Sequence, residues 1–145
     1  MGMIEQERVI LVVDEDTEFF DQVAQAALVA QVNNPIRHAD SFKTMIDTLH
    51  QEERAEFMIV MDSTLASVNA ALYSLEMVAH RSMIYVLIPR DTIDMSVSIE
   101  EGWKERHTWA LRCGATDAFV KENLHIDALF RYAKYSPGWK VRAAM

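Results

Sequence analysis

Five residues whose side chains could act together each stand where a short apolar run stops. "RVILVV" (8–13) runs into Asp14, Glu15 and Asp16, "EFMIVM" (56–61) into Asp62, and "TDAFV" (116–120) into Lys121. Carboxylates gathered in one place repel one another unless a cation intervenes. A hard ion such as Mg2+ suits one or two carboxylates together with phosphate and water. An ammonium group beside them balances the remaining charge and holds a phosphoryl oxygen as a point-charge donor. With its charge shielded in this way, one carboxylate can attack phosphorus in line and form an acyl phosphate, and Asp62 is the best candidate nucleophile. Taken singly, acidic residues end strands simply because loops are polar. The specificity lies in the ordered set: an acidic pair after the first run, an aspartate after the third and a lysine after the fifth.

Positioning such a set requires elements that end at one edge, and the sequence alternates between two periodicities. The β-branched run 8–13 is a strand, and "TEFFDQVAQAALVAQ" (17–31) follows as a helix with Phe20, Val23, Ala24, Ala27 and Leu28 at helical spacing, capped by Asp16 or Thr17. "NNPIRHAD" (33–40) is a turn and a weak strand, because Pro35 suits an edge. "SFKTMIDTLHQ" (41–51) is a helix with Ser41 as cap and Phe42, Met45, Ile46 and Leu49 on one face.

The run 56–62 is continuously apolar, as expected of a parallel strand covered on both faces. Residues 67–81 form a third helix and 82–89 a fourth strand. Residues 99–113 form a fourth helix that stops at Gly114, residues 116–121 a fifth strand, and 123–135 a fifth helix. Strands alternating with helices in this way give an α/β fold, a doubly wound five-stranded parallel sheet with helices on both faces. Ligands of such sheets collect outside the carboxyl ends of the strands, where strand order reverses.

The chain of 145 residues fits one domain, and its formal charge of −8 argues against a direct nucleic-acid groove, which needs a basic footprint. The single cysteine, Cys113, allows neither a disulfide framework nor a cysteine zinc site within one chain. No apolar run approaches a membrane span, and "MGMIEQER" lacks the features of a signal peptide. A cytoplasmic location away from the membrane is therefore expected. The five histidines fall on separate elements without metal-ligand spacing, so ordinary surface or packing roles are expected for all of them. No dinucleotide, P-loop or nucleophile-elbow pattern is present.

Across about 8–135 the sequence resembles the receiver (CheY-like) domains of bacterial two-component response regulators, a flavodoxin-like fold. "VILVVDEDTEFF" is similar to their first strand, which places Asp14 and Glu15 in the Mg2+-binding positions. "FMIVMDSTL" is similar to the phosphoacceptor strand, with Asp62 as acceptor and metal ligand and the backbone carbonyl of Thr64 as a further ligand. "GATDAFVKEN" resembles the segment that carries the family's lysine, here Lys121. The resemblance implies a phosphoacceptor signalling domain rather than an enzyme, with at most self-phosphorylation and self-dephosphorylation. It implies a histidine kinase or histidine phosphotransfer protein as donor. An output domain or partner would read the face of the fourth helix, fifth strand and fifth helix. Residues 1–135 would form the domain and 136–145 a tail or linker.

The departures from that family fall on its switch. Ile88, followed by Pro89, stands where a Ser or Thr usually contacts the phosphoryl group, and an aliphatic side chain makes no such bond. The switch aromatic falls on Ala118, the proline after the lysine on Glu122, and the proline after the acceptor on Ala66. The segment between Pro89 and Gly114 is longer than usual by roughly ten residues, about three helical turns. Its Trp103, His107 and Trp109 either offer a partner-docking surface or pack over an enlarged core. A phosphorylation-independent receiver that acts as a protein-interaction module is the alternative expectation.

Overall fold

The two most apolar runs lie side by side near the middle of the sheet. β1 (Arg8–Val13) and β3 (Glu56–Asp62) pair in parallel from Arg8 opposite Glu56 to Val13 opposite Met61. β2 (Ile36–Ala39), β4 (Ser82–Ile88) and β5 (Asp117–Val120) complete five parallel strands in the order β2-β1-β3-β4-β5. The computed structural model describes residues 8–52, 55–64, 82–96 and 98–131. The helix expected over 67–81, Ala66 and the tail from 136 lie outside them.

Alternation along each strand divides the core in two. Phe57, Ile59 and Met61 join Leu11, Val13, Val86 and Ile88 on one face, while Met58 and Val60 join Ile10, Val12 and Leu87 on the other. Each such fully buried side chain stabilises the fold by about 1.5–3 kcal/mol, and among the described residues the central strands contribute most of the largest fully buried side chains. β2, with Pro35 just before it, takes an edge.

The helices that cover these faces start at side-chain caps. Asp16 caps α1 (Thr17–Val29) by accepting from Glu18 N at 2.9 Å, and Ser41 caps α2 (Phe42–Gln51) by accepting from Thr44 N at 3.1 Å. Ser98 caps α3 (Ile99–Arg112), the helix expected over 99–113, by accepting from Glu101 N at 3.0 Å. α2 and α3 supply Met45, Leu49 and Ala110 to the first core, and α1 supplies Phe19, Val23 and Ala27 to the second. Gly114 ends the α3 turn with φ 103°, a conformation that favours glycine.

Two expectations change, and one pair of alternatives is decided. On α1 the buried stripe is Phe19, Val23 and Ala27 at spacing four, so Leu28 is left 68% exposed and Phe20 lies at the rim. Residues 121–131 form 3₁₀ turns (Lys121–Asn123 and Ile126–Phe130) rather than the start of an α-helix. Neither turn begins at a side-chain cap, unlike α1, α2 and α3. Phe130 nevertheless reaches the α1 core, flanked by Leu124, Ile126 and Leu129. Finally, Trp103 and Trp109 are half-buried against the α2/α3 core, the packing alternative for the long segment. Among the described residues no helix is long and apolar enough to cross a membrane.

Candidate functional site

Strand order reverses between β1 and β3: β2 lies outside β1, while β4 and β5 lie beyond β3. The carboxyl ends of these two strands deliver Asp14 and Asp62, 3% and 7% exposed. β5 delivers Lys121 from the opposite side of β4. Its Nζ donates to Asp14 Oδ2 at 2.7 Å and to Asp62 Oδ2 at 2.6 Å, and lies 5.1 Å from the centre of the Phe19 ring. Three residues far apart in sequence thus form a carboxylate–ammonium–carboxylate bridge with a net charge of −1.

The remaining carboxylate oxygens are held by the turns that follow. Asp14 Oδ1 accepts from Asp16 N at 2.9 Å. Asp62 Oδ1 accepts from Thr64 N at 2.8 Å and from Thr64 Oγ1 at 2.6 Å. An aspartate bonded to the backbone two residues on is the usual way for the chain to leave a strand in a tight turn. Here the same bonds aim the other oxygen, Oδ2, at Lys121. Ser63, between them, is buried, and its Oγ has no hydrogen-bond partner among the described residues.

Burial is the largest single influence on the Asp62 carboxyl and pushes its pKa up. The hydrogen bonds from Lys121 and Thr64, with the Lys121 charge, together outweigh burial and hold it below the ordinary value. Burial likewise pushes the Lys121 ammonium down, and its bonds to Asp14 and Asp62 with their charges raise it above the ordinary value. Asp62 is therefore ionised across the neutral range.

Glu15 is exposed and outside this bridge, and Thr64 meets Asp62 through its N–H and hydroxyl. Among the described residues no three His, Cys, Asp or Glu side chains gather as a metal site. The donors nevertheless fit Mg2+ in kind. Two buried carboxylates offer hard oxygens with lone pairs beyond their present bonds. The bridge also carries one uncompensated negative charge, with a third carboxylate next in sequence.

The other side of the cleft is apolar. Ile88 is 0% and Ala118 3% exposed, both packed in the core with Ile93 and Ala110. The ring of Phe119, one residue on, lies on the opposite face against Tyr85, with centroids 6.0 Å apart. A one-residue step along a strand reverses the face, so that ring is directed away from α3. Glu122 accepts from Arg90 N with both carboxylate oxygens, at 2.8 and 3.2 Å, and the Arg90 guanidinium donates to Asn123. These bonds tie the segment after β4 to the one after β5. Beside them an open groove of about 850 Å3 runs past Lys121, lined by Phe19, Pro89, Met95 and Leu124 among others.

Sequence reasoning missed one residue at the site. His38, in register with Val12, places Nε2 at 2.8 Å from the backbone carbonyl of Asp14. Its signal is the pairing of β2 with β1, which shows only once strand order is known.

No protein-family model matches the sequence, and no curated protein matches it. Solved structures do. The chain superposes on a response regulator receiver domain from Rhodospirillum rubrum with TM-score 0.68 at 14% identity, over 93% of this chain and 99% of that one. The signal receiver domain of a DNA binding response regulator protein from Colwellia psychrerythraea 34H gives 0.67 at 16% identity, over 89% and 97%. The chemotaxis response regulator CheY4 of Vibrio cholerae gives 0.62 at 16% identity, over 90% and 98%. The shared feature is the fold: five parallel strands with helices on both faces.

Proposed function

We propose that this chain, which has the fold of response regulator receiver domains, is a signalling domain that accepts a phosphoryl group on Asp62 with Mg2+. The observation that carries this reading is Lys121 Nζ held between Asp14 Oδ2 and Asp62 Oδ2 at the switch point of the sheet. Asp14, Asp62, the Thr64 carbonyl and Glu15, brought in from its exposed position, are the residues assigned to hold the metal. When bound, the ion shields the negative charge of the incoming phosphoryl group.

The chain's own residues divide the rest of the work. Thr64 fixes Asp62 through Oδ1, which leaves Oδ2, in contact with Lys121, to form the new bond to phosphorus. The bond between phosphorus and the donor's leaving nitrogen or oxygen breaks, and its electron pair departs with the donor. The negative charge of the carboxylate leaves with that pair and is neutralised by a proton taken up at the donor's leaving atom. The transferred group keeps its own charge on the phosphoryl oxygens, where Lys121, still held by Asp14, pairs with it. The donor in this reading is a histidine kinase or histidine phosphotransfer protein. The chain acts as a phosphoacceptor, not as an enzyme on a separate substrate, and an output domain or partner reads the face around α3 and β5.

Incubation with Mg2+ and a small acyl-phosphate or phosphoramidate donor tests the site. Intact mass is expected to show one added phosphoryl group in the native chain and none in Asp62→Asn. An adduct that survives the substitution, or no adduct where an ordinary receiver is labelled, overturns the assignment.

A second reading is favoured by the burial of Ile88 and Ala118 in the core: a module that keeps the fold and signals by binding alone. It predicts partner binding indifferent to Asp62→Asn. Loss of binding by that variant, with its fold intact, excludes it.

A further inference from the structure

The backbone of Asp14 is held on two sides by β2. Its N–H donates to the Ala39 carbonyl at 3.0 Å, continuing the ladder that pairs Val13 with Ala39. Its carbonyl has no strand residue to continue to, because β2 ends at Ala39 and the chain turns into the Ser41 cap of α2. A buried carbonyl needs a donor. His38 supplies one through a side chain, with Nε2 at 2.8 Å. Since a carbonyl only accepts, the proton is on Nε2. The ring cannot swing freely, because it stacks on Phe20 of α1 with centroids 4.6 Å apart and planes within 12°.

We infer that His38 is a positioning residue for Asp14: by donating to the Asp14 carbonyl from a ring clamped on Phe20, it fixes the peptide that aims the Asp14 carboxylate. Three elements meet at this point: β2 through the imidazole, α1 through Phe20, and the turn after β1, whose Asp16 N–H closes on Asp14 Oδ1 at 2.9 Å. Freeing the carbonyl lets that peptide rotate. The carboxylate then leaves Asp16 N and no longer faces Lys121 in one orientation. The consequence for metal binding rests on the reading of Asp14 as a ligand; the consequence for the turn does not.

Two substitutions separate donor from ring. His38→Phe keeps an aromatic surface for Phe20 and removes the N–H, whereas His38→Gln loses the stack and offers an amide N–H near the place of Nε2. Hydrogen exchange read by NMR is expected to show the Asp16 amide exchanging about tenfold faster in His38→Phe. The core amides of Leu11 and Val60 should be unchanged, and protection of Asp16 should return in His38→Gln. Calorimetric titration with Mg2+ is expected to show affinity about tenfold weaker in His38→Phe, recovered in His38→Gln. The rate of phosphoryl uptake at saturating Mg2+ should stay within about twofold of the native chain.

Unchanged Asp16 exchange in His38→Phe overturns the inference. So does equal loss in both variants, which would make the ring and not the donor the active feature. Core amides exchanging as fast as Asp16 would mark a general loss of structure and also overturn it. A native chain that binds no Mg2+ and takes no phosphoryl group refutes the proposed function instead, and the exchange comparison still decides the role of His38.

Discussion

The two rims of the cleft are built from the same sheet edge and treat polarity in opposite ways. On the rim formed by β1, β3 and β5, Asp14 and Asp62 are almost completely buried, and every carboxylate oxygen has a donor at 2.6 to 2.9 Å. On the rim formed by β4 and the inner side of β5, Ile88 and Ala118 close the core beneath α3, and among the described residues no buried polar residue comes from β4 or β5. Buried charge is tolerated where each atom is satisfied, and is costly anywhere else. The charged rim is therefore held by paired and hydrogen-bonded charge, while the apolar rim is held by packing. A Ser or Thr at position 88 would belong to the first kind of surface, and the second kind occupies its place.

Removing the shared cation breaks the comparison most severely. Lys121→Met leaves two buried carboxylates face to face, and a broken buried pair costs about 3–5 kcal/mol. Chemical denaturation at neutral pH should show that loss, with part of it returned by adding Asp14→Asn. The pH dependence has a definite sign. The Asp62 carboxyl is held below 3.8, so its contribution is present above that value and lost as pH falls through the folded pKa. The Lys121 ammonium is raised above 10.5, so its contribution is present below that value and lost as pH rises through the folded pKa. In Lys121→Met both limbs change: the alkaline loss disappears, and acid stabilises the variant relative to neutral pH by protonating one carboxylate. A variant as stable as the native chain at neutral pH would show that the bridge does not hold the rim together.

The apolar rim is tested by putting back a hydroxyl. Ile88→Thr removes a methylene-sized volume and buries a polar group, and should cost about 2–3 kcal/mol in thermal or urea unfolding. A loss below about 0.5 kcal/mol, with phosphoryl uptake accelerated, would mean that the hydroxyl finds the site and that the two rims are one surface. Further out, α3 approaches the segment after β4 so closely at Gly102 that an added Cβ would meet the Asp94 carbonyl oxygen at 1.8 Å. Gly102→Ala must push α3 or that segment away, at about 1–3 kcal/mol, even though alanine favours the helix itself. Improved stability would show that α3 is free to move there.

The charged rim was legible in the sequence because each of its residues follows an apolar run, and hydrophobic runs read reliably as strands. Asp14, Asp62 and Lys121 needed only the rule that strand ends converge at the switch point. Glu15 obeys the same rule and yet is exposed, because Asp14 closes its turn on Asp16 N and the chain leaves toward α1. His38 was illegible because its partner is a carbonyl on a neighbouring strand, and lone histidines without ligand spacing carry no local pattern. The same limit explains α1: Phe19 and Phe20 both fit helical periodicity, and only the packing partners choose Phe19 for the core and Phe20 for the His38 stack. The 3₁₀ turns of 121–131 were missed because apolar spacing at 124, 126, 129 and 130 fits a helix equally well, and spacing does not register a missing cap.

The smallest expected effect sharpens the contrast, because it concerns another side-chain nitrogen against a carboxylate, one that is an ion pair only when the imidazole is protonated. His107 on α3 lies with Nε2 at 3.1 Å from Asp117 Oδ1 on β5, its ring 5.3 Å from that of Trp103. By distance alone this contact resembles Lys121 with Asp62, and it joins α3 to the sheet as Lys121 joins β5 to β1 and β3. The side chains are 33% and 46% exposed, however, against 21% for Lys121 and 8% for Asp62. Water and salt screen such a pair, and exposed pairs contribute about 0–1 kcal/mol. Asp117 also keeps a bond from the Ala118 N–H at 2.8 Å, so losing the imidazole does not strand its carboxylate. His107→Gln should therefore change stability by less than about 0.5 kcal/mol, and by less still at high salt, as read by urea unfolding at two ionic strengths. A loss comparable to that of Lys121→Met would mean that exposure is a poor guide to these pairs, and that α3 is held to the sheet by charge rather than by Ala110, Trp103 and Trp109 in the core.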